Sequence, residues 1–257
     1  MLKKTFIILR VTSGFVLLVA LLVTLTPVQI VLLSIDTRRI YVLTKLFWRI
    51  CCWIFGLKVK IRGAIVRKPP VLYVSNHLSY LDSAVLGRYL DASFIANDDI
   101  AAWPGMGLLA KLQYPLFIKR NPRLVKLHLQ QVAERLDNGG SLILFPEGTS
   151  GNGSGVMPFK SSLFSLLEGA SKDVPVQPIT ILIRGENGEP ISKESRERYS
   201  WFDDTPFLDH FLRALLSTKT NVEVVFHRPV ELAGFTSRKD LAGYTHQVIS
   251  KPLVALE

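Results

Sequence analysis

Residues 71–82 read Val71-Leu72-Tyr73-Val74-Ser75-Asn76-His77-Leu78-Ser79-Tyr80-Leu81-Asp82, an apolar run that stops at a polar turn holding one histidine, with an aspartate five positions on. Five helical positions are about 500° of rotation, so two such side chains in mid-helix would point roughly 140° apart. They meet if His77 lies on the turn before a helix and Asp82 lies in its first or second turn. That places an imidazole and a carboxylate at the C-terminal end of a strand, where open α/β sheets hold their ligands. A carboxylate on one ring nitrogen fixes the tautomer and leaves the other nitrogen free as a base. The bland alternative is a strand-to-helix connection capped by Asn76 or Ser79, with His77 a surface residue.

Composition narrows the setting. The 257 residues suit one α/β domain with an appendage. The net charge of +10 is typical of partners that are anionic, either nucleic acid or a membrane surface. Hydrophobic residues make up 48% of the chain, which favours the membrane and argues against nucleic acid. Cys51 and Cys52 are adjacent in an apolar segment and give neither a disulfide framework nor zinc spacing.

The residues before the domain fit this setting. Phe15 to Ile35 is uncharged and long enough for the ~20 apolar residues that a bilayer core demands. Lys3, Lys4 and Arg10 precede it, and Arg38, Arg39, Lys45 and Arg49 follow, so the basic residues give no clean orientation. Thr26-Pro27-Val28 is not a signal-peptide cleavage site, and a spanning, tilted or re-entrant segment bent at Pro27 is expected. Arg38 to Leu57 interleaves aromatic residues with Lys45 and Arg49, the pattern of an interfacial helix with snorkelling cations. Residues 1–57 are therefore expected to be membrane-embedded or interfacial helices, and 58–257 an α/β domain.

Within that domain apolar strands alternate with helical spacing. The expectation is a mixed, largely parallel sheet flanked by helices. Strands are expected at 58–62, 71–74, 93–96, 116–118, 141–145, 176–183 (interrupted early at Pro178) and 222–226. Helices are expected at 83–90, 124–136, 159–171, 207–216 and 237–254, the last with Ser237 and Asp240 as its start signals. Trp103 to Gly107 should turn into a further helix ending near Lys111. Arg184 to Pro206 is polar and is expected to be loop.

A second strand-then-turn occurs at Phe145-Pro146-Glu147-Gly148-Thr149-Ser150. Gly148 allows close approach to the backbone and Thr149 offers a hydroxyl. The glycines at 151, 153 and 155 lack the Lys of a phosphate-binding loop. Neither Ser150 nor Ser154 has the flanking glycines of a nucleophile elbow. His128, His210, His227 and His246 are scattered. Asp203, Asp204, Asp209 and His210 make only a loose cluster, so no metal site is expected.

Taken together, Asn76-His77-(four residues)-Asp82 followed by Phe145-Pro146-Glu147-Gly148-Thr149 resembles the glycerolipid acyltransferases of the lysophosphatidic-acid acyltransferase type, as found in bacteria. Phe117-Ile118-Lys119-Arg120 and Val174-Pro175-Val176-Gln177-Pro178 are similar to two further blocks of that family, and the resemblance covers about residues 58 to 235. Ser150 stands where the family commonly has Arg, and Asn97-Asp98-Asp99 where it commonly has a Lys. The Ser150 ending and Pro158-Phe159-Lys160-Ser161 also look like bacterial lyso-ornithine-lipid acyltransferases.

The resemblance implies a glycerol-3-phosphate-acyltransferase-like fold at the cytoplasmic face of the bacterial inner membrane. It implies transfer of an acyl chain from acyl-CoA or acyl-carrier protein to a lysophospholipid hydroxyl, with no cofactor and no metal. The main expectation is conversion of 1-acyl-glycerol-3-phosphate to phosphatidic acid; the alternative acceptor is lyso-ornithine lipid or another lysolipid. His77 and Asp82 are then the catalytic pair. Asn76, Arg120, Glu147, Gly148 and Thr149 are the acceptor-binding residues, with Lys119 and Lys160 as further cations. A non-catalytic lipid-binding membrane protein and a lipid hydrolase are the rivals from other classes.

Overall fold

A computed structural model describes residues 2–35, 40–98, 113–119, 121–167, 173–216 and 219–254. In chain order these form α1 (Leu2–Ile35), α2 (Ile40–Ile54), β1 (Leu57–Arg62), β2 (Leu72–Ser75), α3 (Leu81–Gly87), β3 (Ser93–Asn97), β4 (Leu116–Ile118), α4 (Val125–Asp137) and β5 (Leu142–Leu144). A 3-10 segment (Ser161–Leu167) leads to β6 (Pro175–Glu186), β7 (Glu189–Pro190), α5 (Lys193–Tyr199), α6 (Phe207–Leu215), β8 (Thr220–Phe226), β9 (Val230–Glu231) and α7 (Arg238–Val254).

The strands lie in the order β1-β8-β6-β2-β5-β3-β4. Pairs β1–β8, β6–β2, β2–β5, β5–β3 and β3–β4 are parallel, whereas β8 runs antiparallel to β6. The expected mixed, largely parallel sheet is the one observed. β2 sits inside it, with a parallel neighbour on each side, and its four residues are all buried. That is why the run from Val71 to Val74 is apolar without alternation.

Strand pleating divides that run between two cores. Val71 and Tyr73 join Cys52 and Ile54 of α2, Val85 and Leu86 of α3, and Ala214 and Leu215 of α6 on one face. Leu72 and Val74 join Val132 and Leu136 of α4, Phe164, and Leu241 and Ile249 of α7 on the other. Each fully buried side chain of this kind contributes about 1.5–3 kcal/mol relative to exposure.

Three expectations are corrected. The strand at Val176–Ile183 is not broken at Pro178 but runs from Pro175 to Glu186. The Pro178 carbonyl accepts from the His227 N–H on the β8 side. A residue's N–H and C=O point to the same side of a strand, so the missing N–H of Pro178 falls between Val176, where pairing with β9 ends, and Ile179, where pairing with β8 begins. The polar stretch 184–206 is not all loop: it holds the end of β6, a short β7 hairpin and α5. The helix expected over 159–171 is a 3-10 segment over Ser161–Leu167 among the described residues.

The apolar N-terminal stretch is the later part of α1, which runs through Pro27 without interruption. Its segment Ile7–Leu32 is long and apolar enough to cross a membrane, and little of it is buried in the protein. α1 meets the rest of the protein near its start and again further along, where Leu21, Leu25 and Gln29 adjoin Leu43, Thr44 and Phe47 of α2. Gly14 lies against Ile54, where a Cβ would come within 2.7 Å of Cγ1, and Arg10 reaches the Leu215 carbonyl at 2.9 Å. α2 buries Cys51, Cys52 and Ile54 and exposes Val42, Leu46 and Trp53. The start signals of α7 also form, with Ser237 Oγ accepting from the Asp240 N–H.

Candidate active site

β2 and β5 are parallel, with Val74 opposite Leu144. Two strands that run the same way in register end together. The turns that follow, Asn76-His77 and Pro146-Glu147, therefore emerge side by side at the carboxyl edge of the sheet.

The helix after β2 starts at Leu81, so Asp82 lies in its first turn and His77 on the preceding connection. The Asp82 carboxylate folds back over that connection and is fully buried. Its Oδ2 accepts from the Leu78 N–H at 2.6 Å, the Ser79 N–H at 3.0 Å and His77 Nδ1 at 2.8 Å. Its Oδ1 accepts from the Tyr199 hydroxyl at 2.9 Å. Four donors on a buried carboxylate offset the cost of removing it from water.

His77 is held on every side but one. Its ring stacks on Phe145, with centroids 4.2 Å apart and planes 17° from parallel. Its N–H donates to Glu147 Oε1 at 2.6 Å, and its carbonyl accepts from the Gly151 N–H at 2.9 Å. The side chain is 23% exposed, and Nε2 has no hydrogen-bond partner among the described residues. A ring whose Nδ1 proton is bound to a carboxylate presents Nε2 as a lone-pair acceptor.

Glu147 works inside the protein. It is buried, and besides His77 it accepts from the Met157 N–H at 2.9 Å, tying the two turns and the following loop together. Burial pushes its carboxyl up to about 7, against the lowering effect of those two N–H donors. A folded-state value above the unfolded one means that the folded protein holds an extra proton between about pH 4.5 and 7. Stability contributed by Glu147 is then full below that window and falls as pH rises through it, by at most about 3 kcal/mol. Melting at pH ~5 and ~8 should show a smaller pH difference in Glu147→Gln than in the wild type; equal differences would refute the shifted carboxyl.

Asn76, expected to bind the acceptor, is turned elsewhere. It is fully buried, its Nδ2 donates to the Ile181 carbonyl at 3.1 Å, and its Oδ1 accepts from the Ile181 N–H at 2.7 Å. Both ends of the amide satisfy one residue of β6, so the side chain locks the first turn to the neighbouring strand rather than facing a ligand.

Gly148 has φ +71°, a conformation that favours glycine. The Lys160 ammonium crosses it, since a Cβ there would lie 2.9 Å from Nζ. Thr149 beside it is exposed. Ser150, which stands where the family commonly has Arg, gives its hydroxyl to the Trp201 carbonyl. Lys119 pairs with Asp98 at 3.3 Å. Arg120, the other expected head-group residue, and the Trp103–Gly107 turn lie outside the described residues.

Tyr199 was not anticipated. It ends α5, is fully buried, and reaches Asp82 from 117 residues away. Ser192 begins that helix with a reciprocal cap to Ser195, a local signal that the sequence does carry. The same segment meets the first turn again where the Trp201 N–H donates to the Leu78 carbonyl at 2.9 Å. Tyr199→Phe removes one donor from a buried carboxylate but leaves the other three. We expect kcat to fall by about 10- to 100-fold with the acceptor KM unchanged, the cost of a hydrogen bond to a charged group being ~1.5–3 kcal/mol. A raised KM at constant kcat would remove Tyr199 from the positioning of this pair.

Among the described residues no three His, Cys, Asp or Glu side chains are grouped to hold a metal. Asp203 and Asp204 are exposed, whereas His210 is buried with Nδ1 3.1 Å from the Tyr80 hydroxyl, and burial lowers it to about 4.

The model of the Acyltransferase family matches residues 57–182, which include both turns. A lyso-ornithine lipid O-acyltransferase of Rhizobium meliloti is 33% identical over 95% of this chain and 86% of its own length. A 1-acyl-sn-glycerol-3-phosphate acyltransferase of Neisseria gonorrhoeae is 34% identical, over 41% of this chain and 42% of its own. The crystal structure of the 1-acyl-sn-glycerophosphate acyltransferase from Thermotoga maritima superposes with a TM-score of 0.67 and 20% identity, covering 99% of this chain and 97% of that one.

Proposed function

The chain belongs to the Acyltransferase family, and from that premise we propose that it transfers a fatty acyl chain from acyl-CoA or acyl-carrier protein to the free hydroxyl of lyso-ornithine lipid. The observation that carries the chemistry is His77, with Nδ1 on a buried carboxylate and Nε2 open. Nε2 takes the proton of the acceptor hydroxyl as its oxygen attacks the thioester carbonyl. The carbonyl re-forms as the carbon–sulfur bond breaks, and the leaving thiolate takes the proton from the imidazolium. Asp82 holds the ring and offsets its positive charge throughout, which is the triad logic with the substrate hydroxyl in the place of serine.

Two observations favour the ornithine-bearing acceptor over 1-acyl-glycerol-3-phosphate. Similarity to the lyso-ornithine enzyme runs over nearly the whole chain, whereas the glycerol-phosphate relative matches less than half. The neutral hydroxyl of Ser150 also turns to Trp201, so position 150 offers no cation to a phosphate. The second reading retains one support, the Lys160 ammonium over Gly148, which a phosphate monoester could use. Gly148 and Thr149 would line the acceptor side in either case, and Arg120 would supply a head-group cation. The apolar α1 and the lipid acceptors of the relatives support a membrane location; in this proposal the soluble donor arrives from the cytoplasm.

Purified protein and His77→Ala would be given labelled acyl-CoA and acyl-carrier protein, each with lyso-ornithine lipid or 1-acyl-glycerol-3-phosphate. His77-dependent ornithine lipid is the expected product. Phosphatidic acid alone would replace the acceptor, and transfer independent of His77 would overturn the mechanism.

A further inference from the structure

We propose that α6 is a second membrane-contacting element, lying in the lipid interface beside the N-terminal end of the apolar part of α1. The inference goes beyond the transfer reaction and rests on the membrane role of α1.

α6 has three faces. His210, Ala214 and Leu215 are buried, and Phe211 packs edge-on against Phe55 at the end of α2, with centroids 5.4 Å apart. Asp209 and Arg213, one turn apart, are exposed on a polar face. Leu208, Leu212 and, just past the helix end, Leu216 are 62%, 51% and 60% exposed. They recur every fourth residue, so they form one stripe along the helix. Three exposed leucines in a row on a helix that already buries a separate apolar face are unfavourable in water, at about 25 cal/mol per Å² of apolar surface.

The stripe adjoins α1. Arg10 is the single charged residue within Ile7–Leu32. Its guanidinium is buried and donates to the Leu215 carbonyl at 2.9 Å, at the C-terminal end of α6. A charge in a membrane-length helix is costly in lipid, and a helix C-terminus is a favourable place for a cation. Arg10 stands about 5 Å along α1 from Ile7, given the ~1.5 Å rise per residue. The bond therefore fixes the end of α6, with Leu212 and Leu216 within a turn of it, at the level where the apolar surface of α1 begins.

The surroundings suit an anionic lipid surface. Lys58, Arg213 and Lys219 are exposed around this corner. The Thr220 N–H donates to the Gly56 carbonyl, which brings Lys219 to the end of α2, where Trp53 is also exposed. Leucines on one side and cations on the next is the arrangement of a helix lying in the headgroup region.

The test uses the full chain with Leu212→Cys carrying an environment-sensitive fluorophore; native Cys51 and Cys52 are buried. Leu127→Cys is the control, an exposed leucine on α4 across the sheet. Each protein is bound to phosphatidylcholine–phosphatidylglycerol vesicles containing phosphatidylcholine with a doxyl group high on its acyl chain. We expect a blue shift and loss of most emission at position 212, and neither at 127. A protein that floats with vesicles while its label at 212 stays unquenched overturns the inference alone. A blue shift in vesicles without doxyl quenching, as burial against a second copy would give, overturns it also. A protein that does not float with vesicles overturns it together with the membrane role of α1.

Discussion

His77→Ala should abolish acyl transfer, lowering kcat/KM by at least about 10²–10⁴-fold, the usual contribution of a positioned general base. The expectation rests on two contacts and one open nitrogen. Asp82 holds Nδ1, Phe145 lies against the ring face, and no described residue bonds Nε2. A histidine packed only for stability would have no reason to keep one nitrogen open at the edge of the sheet while every other part of it is fixed. The substitution leaves the backbone bonds of residue 77 to Glu147 and Gly151 in place, because both use main-chain atoms. The fold should therefore survive, with a stability loss of about 1.5–3 kcal/mol for the donor taken from Asp82. Turnover within tenfold of the wild type, in protein that still melts cooperatively, would remove His77 from the chemistry.

Asp82→Asn should separate charge from shape. An asparagine oxygen in the place of Oδ2 can accept from Leu78, Ser79 and His77, and its amide nitrogen can donate to the Tyr199 oxygen. The local structure should persist, but the imidazolium loses its counter-charge. A fall in kcat of about 10²–10⁴-fold is expected, by analogy with triads that lose the carboxylate. Asp82→Ala should do more, because it leaves four donors facing a cavity in a fully buried site. We expect it to cost about 3–5 kcal/mol of stability in addition to activity. Thermal melts beside steady-state kinetics distinguish the two. If both variants lose activity equally and melt like the wild type, the carboxylate serves catalysis but does not hold the turn.

The two predictions draw on different parts of the chain. The run from Val71 to Val74, bounded by Pro69-Pro70 and a polar turn, already fits a strand buried on both faces, because it lacks the polar alternation of a half-solvated strand. The spacing from His77 to Asp82 likewise excludes a shared mid-helix placement and suits a turn followed by the first or second turn of a helix. The second turn at Glu147 is readable as a repeat of that pattern. What it does there is not, because the choice of Glu147 and Asn76 for internal bonds depends on which strands adjoin β2.

Local sequence therefore determined the alternating α/β organisation, the apolar first helix, and the catalytic candidates. Those features depend on periodicity and on contacts within a few residues. Tertiary structure alone decided that Tyr199 supports Asp82, that Ser150 turns to Trp201, and that Asn76 is locked to Ile181. It also decided that Arg10 ends against Leu215. Each of these joins residues from 51 to 205 positions apart. Their cause is the strand order β6-β2-β5, which sets the two turns side by side, and the return of the chain after β6 across the carboxyl edge of the sheet. A buried polar group takes whichever partner the packing brings within 3 Å or so, and packing follows from topology rather than from the residue's own neighbours in sequence.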